Sequence, residues 1–145
     1  MEIYTIGFTK KSARQFFEQL REAKVRKLID VRISNTSQLA GFTRRDDLAY
    51  FTEIILGATY IHEPRLAPTP ELLRSYRKRE IDWSEFASRY LRLLADRKVE
   101  LLFPEQFFSG PSALLCSEPT AEYCHRRLIL EYLGRQGRRV APIHL

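Results

Sequence analysis

The side chains of this sequence that could carry out chemistry concentrate in one short stretch, residues 112–126. The reactive groups in that stretch are Cys116, Glu118, Cys124, His125 and Arg126. Thiol, carboxyl, imidazole and guanidinium groups placed this close together could supply a nucleophile, a proton donor or acceptor, and a clamp for an anion. No other part of the chain gathers so many of these groups, so the search for function starts here.

The sequence predicts that a turn between a strand and a helix presents these groups. Residues 113–116 form an apolar run typical of a short buried strand, and Pro119 and Thr120 are typical helix-start residues. We therefore expect a helix from about Thr120 that carries Cys124, His125 and Arg126. In α/β proteins such a helix points free N–H groups at the carboxyl end of the preceding strand.

Cys116 is the strongest candidate for a nucleophile. At a strand end beside a helix N-terminus, the pKa of a thiol falls below its usual value of about 8.5, and more of it is thiolate. His125 could act as a general acid or base, and Glu118 lies on the same rim as a further catalytic candidate. Arg126 could hold a phosphate or carboxylate, or pair with Glu122. The alternative for Cys116 is a small, buried hydrophobic residue.

Helical spacing separates the other groups of this stretch. Cys124 shares a stripe with Leu128 and Tyr132, which indicates that this stripe packs against the sheet. His125 and Arg126 are expected to point away from that stripe.

A zinc site is a second interpretation of the same stretch. Cys116, Cys124 and His125 could together hold the ion, with His62 or Asp30 as a fourth ligand. Their spacing matches no standard zinc module, so we expect no cofactor and keep zinc as the weaker alternative.

The elements that must position these residues follow an alternating pattern. Residues 3–6 predict a strand, the capping box Ser12 to Gln15 begins a helix, and residues 27–32 form a second, nearly continuous apolar run. Further on, the sequence predicts helix starts at Thr43, Thr69 and Asp82, a helix end at Gly57, a strand at 58–61 and an edge strand near Pro142. The predicted fold is α/β, a single domain over residues 1–145, with a mostly parallel sheet of about five strands and helices on both faces.

Several polar residues fall where these predicted strands end. Gly7 follows the first strand, Asp30 and Arg32 end the second, and Cys116 ends the fourth. Ligands of open parallel sheets bind at this edge, so neighbouring strands would give a shared, anion-binding rim. Asp30 could be a nucleophile or base or could orient Arg32, and Ser37 in the next loop could bind a sugar or base.

Composition favours anionic partners and a chain outside the membrane. The net charge is +6 and the isoelectric point about 9.5, which suits a nucleotide, a nucleic acid or a phosphate-bearing small molecule, although many basic proteins are merely basic. The run Arg74 to Arg79 fits a solvated helix face, or contact with backbone phosphates. We expect a cytoplasmic protein, because the chain has no apolar run near 20 residues and no export signal.

Cysteine use and aromatic residues add two expectations. Two cysteines eight residues apart indicate free thiols or a site rather than a structural disulfide. An apolar segment containing Phe103, Phe107 and Phe108 could form a homodimer surface.

These motifs resemble the domain of unknown function 488 family. The resemblance rests on residues 5–8, 28–32, 37–42 and 114–126, with His144 and Leu145 at the end. It implies a small bacterial or archaeal α/β domain of unestablished activity, whose signature falls on Asp30, Arg32, Cys116, Glu118, Cys124, His125 and Arg126. Many members carry a proline and a Ser-Arg pair after the Asp-x-Arg strand, where this chain has residues 34–38 instead.

The sequence therefore predicts an enzyme that acts on a nucleotide, a nucleic acid or another phosphate-bearing substrate through a cleft at the strand ends. A non-catalytic module that binds nucleic acid or an anion is the alternative, followed by a zinc-binding domain.

Overall fold

A computed structural model describes residues 1–34, 41–117 and 122–145 of the chain. The strands in these ranges are β1 Glu2–Gly7, β2 Lys27–Asp30, β3 Thr59–His62, β4 Ser112–Cys116 and β5 Ala141–His144. The helices in the same ranges are α1 Ala13–Glu22, α2 Arg45–Leu56, α3 Pro70–Arg77, α4 Trp83–Asp96, α5 Val99–Leu102 and α6 His125–Arg135. None of these helices is both long enough and apolar enough to cross a membrane.

The five strands form one parallel sheet in the order β3-β2-β4-β1-β5, which confirms the predicted α/β fold. Strand β4 lies in the centre, and all five of its residues are buried. Strand β5 lies at one edge of the sheet. Pro142 has no N–H group to donate, and an edge strand tolerates this because only one of its sides pairs with another strand. The sequence run around Cys116 therefore belongs to the strand that the rest of the sheet surrounds.

Two hydrophobic cores cover the two faces of the sheet. On one face, Ile6, Leu28 and Leu115 of the strands pack with Phe16 of α1 and Leu48 of α2. On the other face, the strand residues Ile3, Ile29 and Leu114 pack with α4 and α6. Because the helices lie on both faces, as predicted, the central strand β4 is buried on both sides and is apolar at most positions.

This topology opens a crevice at the carboxyl ends of β1 and β4. The chain leaves β1 for α1 on one face and leaves β4 for α6 on the other, so the two connections diverge. Gly7 lies opposite Cys116 in the β1–β4 register, and the Thr9 amide donates to the Ser117 carbonyl at 3.0 Å. The crevice thus has a fixed floor between two neighbouring strands.

The predicted helix caps place these helices. Ser12 and Gln15 form the capping box of α1, with the Gln15 amide 3.1 Å from the Ser12 hydroxyl oxygen. Thr69 caps α3, and Asp82 accepts from the Glu85 amide at 2.8 Å to cap α4. These caps could be predicted from the sequence because each depends on residues only three positions apart.

Two helix starts differ from the prediction. Helix α2 begins at Arg45 rather than at Thr43, because Thr43 ends a short 3₁₀ turn and its carbonyl accepts a bond from Arg32. Helix α6 begins at His125 rather than near Thr120, because Cys124 has an extended backbone (φ −131°, ψ 140°). Cys124 is therefore the residue that precedes the helix, not part of its first turns.

The predicted dimer surface of three phenylalanines is wrong. Phe103 and Phe108 are each 1% exposed and belong to the core beneath α4 and α6. Phe107 is partly buried against them, and the Lys27 ammonium group lies 5.1 Å from its ring centroid. The prolines and Gly110 in this segment let the chain fold these rings inward.

A matched pair of glycine substitutions tests the backbone geometry. Gly57 ends α2 at φ +60°, whereas Gly134 lies within α6, and an added Cβ meets no atom within 4 Å at either position. We expect Gly57→Ala to lower the free energy of unfolding by about 1 kcal/mol and Gly134→Ala to raise it by up to about 1 kcal/mol. Urea unfolding monitored by far-ultraviolet circular dichroism measures both, and equal effects of the two substitutions would contradict this backbone geometry.

Candidate active site

A cavity of about 720 Å³ lies at the carboxyl ends of β1, β2 and β4. Its walls come from the loop after β1, the segment after β2, helix α3 and the start of α6. The predicted neighbourhood of the first, second and fourth strands is thereby confirmed, since β4 pairs with both β1 and β2. Cys116, His125 and Arg32 all line this cavity.

The contact between Cys116 and His125 forms the floor of the cavity. The Cys116 Sγ lies 3.6 Å from His125 Nδ1 and 3.9 Å from Nε2, and Nε2 also lies 2.8 Å from the Val31 carbonyl oxygen. Since a carbonyl only accepts, Nε2 carries a hydrogen, and Nδ1 is left to exchange a proton with the thiol. The Tyr90 ring packs edge to face against the imidazole, with ring centroids 5.5 Å apart, and this contact helps to orient the imidazole.

The surroundings favour a charged form of this pair. The hydrogen bond from the Cys124 thiol, opposed by burial, and the charge of His125 hold the pKa of Cys116 well below that of a free thiol. Burial lowers the pKa of His125, but attraction to Cys116 and the bonds to Cys116 and Val31 raise it overall. The bond to Cys116, together with burial, raises the pKa of Cys124. The arrangement therefore favours a Cys116 thiolate, a His125 imidazolium and a neutral Cys124.

His125 and Arg126, which the sequence places off the packed stripe, are both buried. His125 is 6% exposed and Arg126 is fully buried, with its Nη1 atom 3.9 Å from Cys124 Sγ. Helix α6 is enclosed by the sheet on one side and by α4 on another, so its residues 128–130, 132 and 133 are buried as well. Only the side of the helix that carries Arg127 and Glu131 faces solvent near its start.

Asp30 and Arg32 form a buried ion pair beside the thiol. The Arg32 Nε and Nη2 atoms donate to the two Asp30 oxygens at 2.8 Å each, and Nη2 also donates to the Thr43 carbonyl at 2.7 Å. Tyr60 donates to Asp30 at 2.5 Å. Asp30 is fully buried and does not line the cavity, whereas Arg32 does, with its guanidinium 5.2 Å from the Phe8 ring centroid. The structure thus places the carboxylate behind the arginine.

The described lining of the cavity is cationic and aromatic. Its lysine and arginine residues are Lys10, Lys11, Arg32 and Arg77, and its carbocyclic aromatic residues are Phe8, Tyr76, Phe86 and Tyr123. No aspartate or glutamate occurs in that described lining. Burial and the nearby charge of Arg126 lower the pKa of Lys11. Such a lining attracts an anion and offers ring faces for stacking.

Other predicted site residues fall in different places. Gly7 is the buried last residue of β1, directly opposite Cys116. Glu118 and Ser37 lie outside the described residues. His62 bonds the Arg32 carbonyl at 2.8 Å through Nε2, so it supports the segment that carries Arg32.

Sequence reasoning missed several lining residues. Lys10 and Lys11 follow the end of β1, a position that the strand-end rule could have marked as part of the site. Tyr76 and Arg77 belong to the basic run of α3, for which a solvated face was the leading interpretation. Arg77 is exposed at the mouth of the cavity, but only the tertiary packing of α3 shows where it points.

Three donor groups at this site could hold a metal ion. One ligand atom each from Cys116, Cys124 and His125 lies within 4.8 Å of the others, and all three residues are buried. These are donor types that zinc prefers. The fourth ligands suggested by the sequence are engaged elsewhere, since Asp30 binds Arg32 and His62 bonds the Arg32 carbonyl.

A known protein family matches most of the chain, including this site. Residues 12–133 match the family described as "Domain of unknown function DUF488". The chain belongs to the DUF488 family. The match spans α1 to most of α6 and includes Asp30, Arg32, Cys116 and His125. No curated protein and no solved structure matches the chain.

The buried ion pair yields a stability prediction. Asp30→Asn keeps the shape of the side chain but leaves the Arg32 charge buried without its carboxylate, so we expect a loss of about 3–5 kcal/mol in the free energy of unfolding. Tyr60→Phe removes one bond to the same carboxylate and should cost about 1.5–3 kcal/mol. Urea titration of both variants checks this order, and an Asp30→Asn protein as stable as the wild type would contradict it.

Proposed function

We propose that this DUF488 protein is an enzyme that uses Cys116 as a nucleophile on a nucleotide or another phosphate-bearing substrate. The observation that supports this proposal most strongly is the Cys116–His125 contact of 3.6 Å on the floor of a cationic cavity. A thiolate is a strong nucleophile, and an imidazolium next to it is a ready proton donor. In this proposal the two groups act as one unit.

The proposed reaction has two proton-coupled steps. The Cys116 thiolate attacks an electrophilic carbon or phosphorus, and the bond to the leaving group breaks with its electron pair. His125 gives its Nδ1 proton to that leaving group and then, as a neutral imidazole, takes a proton from the water that hydrolyses the covalent intermediate. Val31 holds the ring in place throughout, because its carbonyl keeps the hydrogen on Nε2.

Arg32 supplies the anion-binding role in this proposal. Its guanidinium is held by both oxygens of Asp30, so it meets the substrate in a fixed orientation. Asp30 is then a positioning residue rather than the nucleophile or base. Glu118 remains a candidate for proton transfer, whereas Arg126 is fully buried and absent from the described lining of the cavity.

The shape and lining of the cavity support a substrate with both an anionic group and a flat ring. A volume of about 720 Å³ suits a small molecule of nucleotide size. Lys10, Lys11 and Arg77 offer cations to a phosphate, and Tyr76 and Tyr123 offer ring faces to a base. A reducing compartment such as the cytoplasm would keep the two thiols free for this chemistry.

A zinc-binding role is the second candidate, and the cluster of Cys116, Cys124 and His125 donors favours it. A bound zinc ion would hold both thiolates and remove the proposed nucleophile. A non-catalytic anion-binding module would use the same cationic lining without any reaction at Cys116. Metal analysis of the purified protein and a search for turnover separate these alternatives.

Nucleotide titration tests the proposed substrate class. Trp83 is the single tryptophan of the chain and packs edge to face on Tyr123 with ring centroids 5.6 Å apart, so its fluorescence reports on the cavity. We expect a purine nucleoside monophosphate to bind more tightly than either the nucleoside or inorganic phosphate alone, and binding to weaken as salt is added.

Two arginines of one helix provide a matched comparison. Arg77 lines the cavity, whereas Arg74, one turn earlier on α3, is absent from its lining. Arg77→Gln should weaken nucleotide binding about tenfold, because a charge-assisted hydrogen bond contributes about 1.5–3 kcal/mol. Arg74→Gln should leave it nearly unchanged. Equal effects of the two substitutions would point to a diffuse charge effect and count against this binding site.

A further inference from the structure

Cys124 has no step in the reaction proposed above, although it lies next to the nucleophile. Its Sγ is within 4.8 Å of Cys116 Sγ, and both cysteines are free thiols. Cys124 is 2% exposed and Cys116 is 5% exposed, so bulky reagents reach neither from the outer surface. Both cysteines line the cavity, which admits small molecules.

We infer that Cys116 and Cys124 form a reversible disulfide, in which Cys116 reacts with a hydroperoxide and Cys124 resolves the product. The inference concerns the same site and rests on the proposed reactivity of Cys116. It adds a redox modification site to the proposed enzyme and names a hydroperoxide as the second reactant.

The chemistry balances over two steps. The Cys116 thiolate attacks one peroxide oxygen, the O–O bond breaks, and the departing oxygen leaves as an alcohol or water after it takes a proton. Cys116 is then a sulfenic acid. The Cys124 sulfur attacks the Cys116 sulfur, its thiol proton and the sulfenic hydroxyl leave together as water, and the disulfide forms. The two thiols lose two electrons in total, and the peroxide gains them.

The neighbouring groups fit these two roles. His125 Nδ1 lies 3.6 Å from Cys116 Sγ and can donate the proton that the departing oxygen needs. Arg126 Nη1 lies 3.9 Å from Cys124 Sγ, and a cation there stabilises the negative charge that builds on this sulfur as its thiol proton leaves during the attack. The pair therefore has a proton donor at the first cysteine and a cation at the second.

The two cysteines lie at the ends of two elements. A disulfide needs its sulfurs about 2.05 Å apart, so the two must approach. Cys116 is the last residue of β4, and Cys124 precedes the first residue of α6 with an extended backbone. The approach therefore involves the last residue of β4 and the residue before α6.

The disulfide would inactivate the proposed enzyme. It removes the Cys116 thiolate and with it the charge that His125 faces, so no nucleophile remains until a dithiol reductant restores it. Oxidation would thus stop the reaction without unfolding the protein.

Oxidation of the full chain by hydrogen peroxide tests the inference. After metal analysis, the wild-type protein is treated with one equivalent of peroxide, and intact mass and non-reducing peptide mapping are recorded. We expect loss of two hydrogens, a linked peptide pair containing Cys116 and Cys124, and full recovery of both thiols with dithiothreitol. Cys124→Ser should instead accumulate a sulfenic acid at Cys116 that dimedone traps, and Cys116→Ser should stay unmodified.

The possible results separate this inference from the proposed function. Rapid alkylation of Cys116 without any disulfide in the wild type would overturn the inference and leave the nucleophile role intact. Cysteines that neither alkylate nor oxidise, or that hold stoichiometric zinc, would overturn both. Because the wild-type mass measurement needs no variant, a poorly folded Cys124→Ser protein would not remove the test.

Discussion

A thiolate inside a protein needs a compensating charge within a few ångströms, and this requirement organises the site of this DUF488 protein. His125 meets it from 3.6 Å, with its far nitrogen held by the Val31 carbonyl. The contact joins three elements, since Cys116 ends β4, Val31 follows β2 and His125 begins α6. The pair therefore forms only when the centre of the sheet and the last helix are both in place.

A second buried charge beside the cavity, that of Arg32, also has an opposite charge next to it. Asp30 holds Arg32 through two bonds, Tyr60 donates a third bond to Asp30, and the Thr43 carbonyl accepts a further bond from Arg32. The guanidinium keeps one face toward the cavity as a result. Held groups of this kind lose little freedom when a ligand arrives, which is how a preorganised site gains affinity.

Much of this arrangement could be predicted from the sequence, and the remainder could not for definable reasons. The capping box at Ser12, the helix end at Gly57 and the apolar run before Cys116 are local signals, and each appears where predicted. The pairing of Asp30 with Arg32 was also predictable, because alternate residues of an extended segment share a side.

The failures have a common origin in tertiary packing. The start of α6 depends on the backbone conformation at Cys124, and the burial of His125 and Arg126 depends on the packing of α4. The spacing of apolar residues in the sequence gives information on neither. Phe103 and Phe108 lie in a segment broken by prolines, and only the fold shows that both rings turn into the core. The role of Arg77 depends likewise on where α3 packs.

The rate of alkylation of Cys116 as a function of pH tests the thiolate–imidazolium pair most directly, with mass spectrometry to separate it from Cys124. The account predicts a rate that stays high through neutral pH and falls only well below the usual thiol pKa of about 8.5, with protection by a nucleotide. In His125→Gln, which can still donate to the Val31 carbonyl, the same transition should move to higher pH. A wild-type rate that rises only near the free-thiol pKa, unchanged in His125→Gln, would contradict the central claim.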